Sequence, residues 1–144
     1  MVIVSFRGAW SSAAIVAWAG LSAVPAQGAE VFRGQLYCKS SKGLAALADI
    51  VDFSVTVDGT QVSYHRDPIG RIAPEVDLVE SGTGTLSGDR LEMSGGAATE
   101  DWQLSSSYRG RRSGDRVTLQ GEQVWRGTTL PAPVSRTCDA ILTR

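Results

Sequence analysis

Gly84-Thr85-Leu86-Ser87-Gly88-Asp89-Arg90-Leu91-Glu92-Met93-Ser94-Gly95 returns, offset by 26 residues, as Gly110-Arg111-Arg112-Ser113-Gly114-Asp115-Arg116-Val117-Thr118-Leu119-Gln120-Gly121. In each copy Gly-Asp supplies a tight turn. The Arg that follows opens a returning strand with apolar residues at every second position. Asp58 to Tyr64 is a weaker third copy. Repeated turns at a fixed interval read as successive hairpins of one antiparallel meander.

The period of two extends on both sides of the repeat. Phe32, Gly34, Leu36 and Cys38 fall on one face of a first strand, and Val51, Phe53, Val55 and Val57 alternate with Asp52, Ser54 and Thr56 in a second. Val62 and Tyr64 carry the return strand to Asp67-Pro68-Ile69-Gly70, where Pro removes a ladder donor and Gly permits another reversal. Further strands are predicted over Val76–Leu86, Arg90–Ser94, Trp102–Arg111, Arg116–Trp125 and Ser135–Thr143, about eight in all. Ser40 to Asp49, with Leu44-Ala45-Ala46-Leu47-Ala48, is the one helix candidate. The expectation is an all-β fold, a small antiparallel meander that closes into a barrel, with a two-sheet sandwich as the alternative. Its interior is expected to hold Phe32, Leu36, Phe53, Val55, Val62, Tyr64, Leu91, Met93, Trp102, Leu104, Val117, Leu119 and Leu142.

Cysteine usage points to the same closure. Cys38 and Cys138 are the only two, one near each end, and neither has a second Cys or a His close enough for a metal or redox motif. In an oxidising compartment such a pair is expected to form a disulfide. Closing a loop of about 100 residues stabilises the fold by about 4 to 5 kcal/mol on the chain-entropy model. If the first and last strands pair, the two cysteines become neighbours.

The N-terminus supplies the compartment. Arg7 is the one charge before Glu30, and Ala9 to Val24 is a charge-free, Ala-rich run. Val24-Pro25-Ala26-Gln27-Gly28-Ala29 offers small residues for cleavage after Ala26, the favoured site, or after Gly28 or Ala29. Residues 1–29 therefore read as a signal peptide and its cleavage region, and 30–144 as a single domain, periplasmic or secreted. Ser11, Ser12, Gly20 and Ser22 interrupt the apolar run, so no membrane span is expected once the leader is removed.

At 42% hydrophobic and 20% charged, the chain lies within the globular range, which excludes a disordered or collagen-like protein. Without Arg7 it holds thirteen basic and fifteen acidic residues, a balance too even for nucleic-acid binding across the whole surface. The charges are segregated, however. Residues 49–101 carry eleven acids against Arg66, Arg71 and Arg90, whereas residues 102–144 carry seven arginines against Asp115, Glu122 and Asp139.

Few residues promise chemistry. The single His, His65, shares a strand with Asp67, yet no Gly-x-Ser-x-Gly elbow accompanies them. No metal site, cofactor or catalytic residue is expected, and scattered acids such as Glu80 read as solvating. The candidate binding residues lie on the second hairpin. Tyr108, Arg109, Arg111, Arg112 and Arg116 place four arginines within eight residues beside a tyrosine, a set that can grip an anionic envelope glycan or an acidic protein. Trp102 and Trp125 are candidates to line the barrel mouth around a small ligand.

The pattern Phe32-x-Gly34-x-Leu36-x-Cys38, Gly-containing hairpins, Gln123-Val124-Trp125 and Arg136-x-Cys138 resembles small secreted β-domain proteins of unknown function from Gram-negative bacteria. That resemblance implies an envelope location and no catalytic residues. The size and the Tyr37-Cys38 start are also similar to small barrel inhibitors of lysozyme, without their Ser-Gly-x-x-Tyr loop. Trp125 near Gly127-Thr128-Thr129 is similar to avidin-type barrels. The expected function is an exported, non-enzymatic binding module of the envelope. A periplasmic hydrolase or lysozyme-inhibitor-like protein is the alternative.

Overall fold

The computed structural model describes residues 28–39, 49–66 and 79–144. Its strands are β1 (Glu30–Cys38), β2 (Asp49–Asp58), β3 (Gln61–Arg66), β4 (Glu80–Ser87), β5 (Arg90–Ala98), β6 (Trp102–Ser113), β7 (Arg116–Gly127) and β8 (Val134–Thr143). Each pairs antiparallel with the next, and β8 returns to β1, so the sheet is a closed barrel and not a sandwich. The leader, residues 40–48 with the helix candidate, and residues 67–78 with the Asp67-Pro68-Ile69-Gly70 turn lie outside the described residues.

The repeat forms as its turn chemistry dictates. Gly59, Gly88 and Gly114 hold φ between 58° and 62°, a conformation a side chain would strain. These three hairpins gather at one end of the barrel with the start of β1 and the finish of β8. The opposite end carries the longer connections, including 99–101 and 128–133.

Closure sets Cys38 directly opposite Cys138 in the β1–β8 register, where they form a buried disulfide with Cα atoms 4.0 Å apart. Alternation then sorts the side chains. Phe32, Leu36, Val55, Val62, Leu91, Met93, Val117, Leu119 and Leu142 face inward and are buried, as expected from period two. Trp102 is only half-buried. Outward positions are mainly Ser, Thr, Gln and charged residues, and among the described strand residues Tyr37 and Ile141 are the exposed large apolar ones. This is the reverse of a lipid-facing barrel, whose outer surface needs a continuous apolar band. No helix among the described residues is long and apolar enough to cross a membrane.

Aromatic packing fills the middle of the barrel. Phe53, Tyr64 and Tyr108 meet pairwise with ring centroids 5.3 to 5.4 Å apart. Glycines on neighbouring strands make the room. A Cβ at Gly82 would lie 2.3 Å from Tyr64 Cε1, and one at Gly121 would lie 2.3 Å from Tyr108 Cδ1.

Candidate functional site

Along β6 the alternation that buries Leu104, Ser106 and Tyr108 turns Arg109 and Arg111 outward and brings Arg112 back toward the barrel. The hairpin arginines therefore do not act as one cluster, and two residues of the expected gripping set need correcting. Tyr108 is fully buried, with its hydroxyl donating to Glu80 Oε1 at 2.8 Å. Arg112 caps the hairpin end from within: its guanidinium lies 5.4 Å above the Phe32 ring and pairs with Glu30 at 2.6 Å. Arg144 joins this cap by pairing with Glu30 and Asp115.

What remains outside is a different basic face. Arg109 and Arg111 stand on β6, Arg90 stands directly opposite Arg111 on β5, and Arg116 begins β7. Arg111 pairs with Asp89 at 2.9 Å, while Arg109 reaches Glu92 only at 3.9 Å, with both partners largely in solvent. Among the described residues Arg90 and Arg116 have no ion-pair partner. Like charges directly opposite across strands repel, and at the Arg90–Arg111 pair the carboxylate of Asp89 offsets part of that repulsion.

The face is also concave. A depression of about 680 Å³ crosses β5, β6 and β7 between Arg90, Glu92, Ser107, Arg109, Arg111, Gln120 and Glu122. A second, of about 320 Å³, shares Glu92, Ser107 and Arg109 and reaches Thr83 and Thr85 on β4. The two adjoin at these shared residues. Cross-strand register explains the lining, because Thr83, Ser94, Ser107 and Glu122 form one row and Thr85, Glu92, Arg109 and Gln120 form the next.

The expected tryptophan-lined mouth is filled instead. Trp125 is 0% exposed, Trp102 packs edge-on against it at 6.3 Å, and Leu104, Leu130 and Val134 complete the cluster. Beneath it lies a set of polar residues that the sequence reading had not placed inside. Arg66 Nε lies 2.8 Å from Glu80 Oε2, and both side chains are fully buried. Gln123 Nε2 donates to Glu80 Oε2 at 3.1 Å and to the Tyr108 hydroxyl at 2.9 Å. Gln123 Oε1 accepts from Trp125 Nε1 at 3.2 Å and from Arg136 Nε at 2.9 Å, and the Arg136 guanidinium lies 5.4 Å from the Trp125 ring centre. Tyr64 and Ser106 exchange a buried hydrogen bond of 2.7 Å beside this network.

Burial raises the Tyr108 hydroxyl far above its ordinary value, and the negative charge of Glu80 adds to the effect. Burial is also the main cause for Tyr64, with its bond to Ser106 opposing it. Both therefore stay protonated as hydrogen-bonding members of the interior. A third depression, of about 540 Å³, lies outside β1–β3 between Arg33, Gln35, Asp52, Ser54 and His65. There the Ser54 hydroxyl donates to the His65 main-chain carbonyl at 3.4 Å, not to the imidazole. Asp67 lies outside the described residues, and no cluster of metal-ligating side chains occurs among the described ones.

Fold and face together define a class: a small, closed, eight-stranded antiparallel barrel with a polar exterior, a basic groove and a disulfide across its closing strands. Beyond that class, no family model matches the chain, and no curated protein matches it.

Proposed function

We propose that this protein is an exported, non-enzymatic barrel module of the cell envelope that binds an anionic partner on the outer face of β5–β7. The observation that carries the reading is the outward arginine set itself, Arg90 opposite Arg111 with Arg109 and Arg116 nearby, in which Arg90 and Arg116 have no ion-pair partner among the described residues, beside a groove. An anionic partner relieves the repulsion and takes bidentate hydrogen bonds from planar guanidinium groups. Export draws support from the leader pattern and from the disulfide, which persists in an oxidising compartment.

The test is retention on immobilised dextran sulfate. The Arg109→Ala/Arg111→Ala double variant should elute at clearly lower salt than the parent, because exposed charges act through screened attraction. Arg112→Ala, which removes a partly buried arginine already paired with Glu30 at the hairpin end, should elute with the parent. Co-elution of the double variant with the parent overturns the reading.

A further inference from the structure

We infer that the partner is an extended acidic polysaccharide, of the kind whose sugar units each carry a carboxylate among several hydroxyls, lying across the strands. This rests on the anionic-partner reading and narrows it. Three features of the groove carry the inference.

Shape comes first. Two adjoining depressions, which share Glu92, Ser107 and Arg109, together extend from Thr83 and Thr85 on β4 to Gln120 and Glu122 on β7. Neighbouring strands lie about 4.8 Å apart, so the trough is roughly 14 Å long, too long for a single phosphate or a monosaccharide to fill. A short polymer segment does fill it.

The second feature is the division of chemistry between the two sides. Arg90 and Arg111 form one register row, toward the hairpin end. Thr83, Ser94 and Ser107, with Glu122 at its end, form another, four residues further along the strands, with Glu92 and Arg109 on the row between. Guanidinium groups thus face one edge of a bound chain and hydroxyls the other. A polymer with charge on one edge of each unit and hydroxyls on the other is complementary to that arrangement.

The third feature is what the groove rejects. Glu92 and Glu122 line it beside the arginines. They accept hydrogen bonds from sugar hydroxyls but repel a polymer that is charged at every link, such as polyphosphate. No aromatic side chain on the outer face of the trough offers a stacking platform, which nucleic-acid strands require. Tyr108 touches the depression only as a buried ring.

Titration calorimetry at low salt, with galacturonate oligosaccharides of increasing length and polyphosphate of matched charge, tests the inference. Affinity should rise steeply with length up to about four sugar units and then level off as the roughly 14 Å trough is filled. Arg109→Ala/Arg111→Ala should lose tenfold or more. Glu92→Gln/Glu122→Gln should raise polyphosphate affinity at least severalfold while leaving the uronate unchanged or weaker. Polyphosphate binding as tight as the uronate, with the same arginine dependence, overturns the polysaccharide while leaving the anionic face intact. If no anion responds to the arginine variants, both readings are overturned. All substituted side chains are exposed, and an unchanged melting temperature confirms that the variants are folded.

Discussion

At its hairpin end the barrel is filled by Phe32, Leu91, Val117 and Leu142, whereas toward the loop end the same inward phase carries Arg66, Glu80, Gln123 and Arg136. Both halves are buried and both are closed by side chains, so the difference is one of how directional the contacts are. Apolar packing is non-directional and tolerates change of comparable volume. A buried ion pair returns its desolvation cost only when its geometry and hydrogen bonds are satisfied, and on the carboxylate side Glu80 accepts from Tyr108 and Gln123 beside Arg66. One half supplies bulk cohesion, and the other fixes which strands sit opposite which.

The largest test of that contrast removes the carboxylate. Glu80→Leu should cost about 3 to 5 kcal/mol, because it breaks the buried ion pair with Arg66 and strips partners from Tyr108 and Gln123. Leu91→Met at the other end should cost under about 1.5 kcal/mol. Urea unfolding of the two variants measures the gap, and equal losses would show that the two halves are energetically alike.

Next in size is the response to alkali. Tyr64 and Tyr108 are held above their unfolded value of about 10, so their contribution is fully present below pH 10 and is lost as pH rises beyond it. Tyr108 alone should lower stability by about 1.4 kcal/mol per pH unit above 10. Replacing Tyr108 with Phe should flatten that slope. A slope unchanged by the substitution would break the link between alkaline lability and the polar half.

The smallest effect is expected from Tyr64→Phe, which keeps the ring stacked on Phe53 and leaves Ser106 Oγ without its 2.7 Å partner. The expected cost is about 1 to 2 kcal/mol. A thermal melt of this variant that matched the parent would place Ser106 in contact with water.

The fold was legible because it depends on local rules. Gly88-Asp89 and Gly114-Asp115 specify the turns, period two specifies the inward face, and Cys38 with Cys138 specifies the closure. The polar interior was not legible from hydrophobicity, since Arg66, Glu80, Gln123 and Arg136 are residue types that normally face water. Phase did hold the signal. Continuing Val62-x-Tyr64 by two reaches Arg66, and continuing Val117-x-Leu119-x-Gly121 reaches Gln123 and Trp125. The same counting separates Arg109 and Arg111 from Tyr108 and Arg112, which composition alone had grouped. The opposing Arg90 belongs to another hairpin, and only the β5–β6 register brings it to the face.

The pairing of β1 with β8 also has a consequence in time. The opening strand pairs with β8 from Arg33↔Thr143 to Cys38↔Cys138, so its second neighbour comes into reach only once the 100 residues that separate the two cysteines are in place. Until then one flank of β1 presents bare backbone donors and acceptors to whatever strand it meets. Closure of the sheet is therefore a late event that waits for β8, and the interval before it is when the open flank of β1 most needs protection.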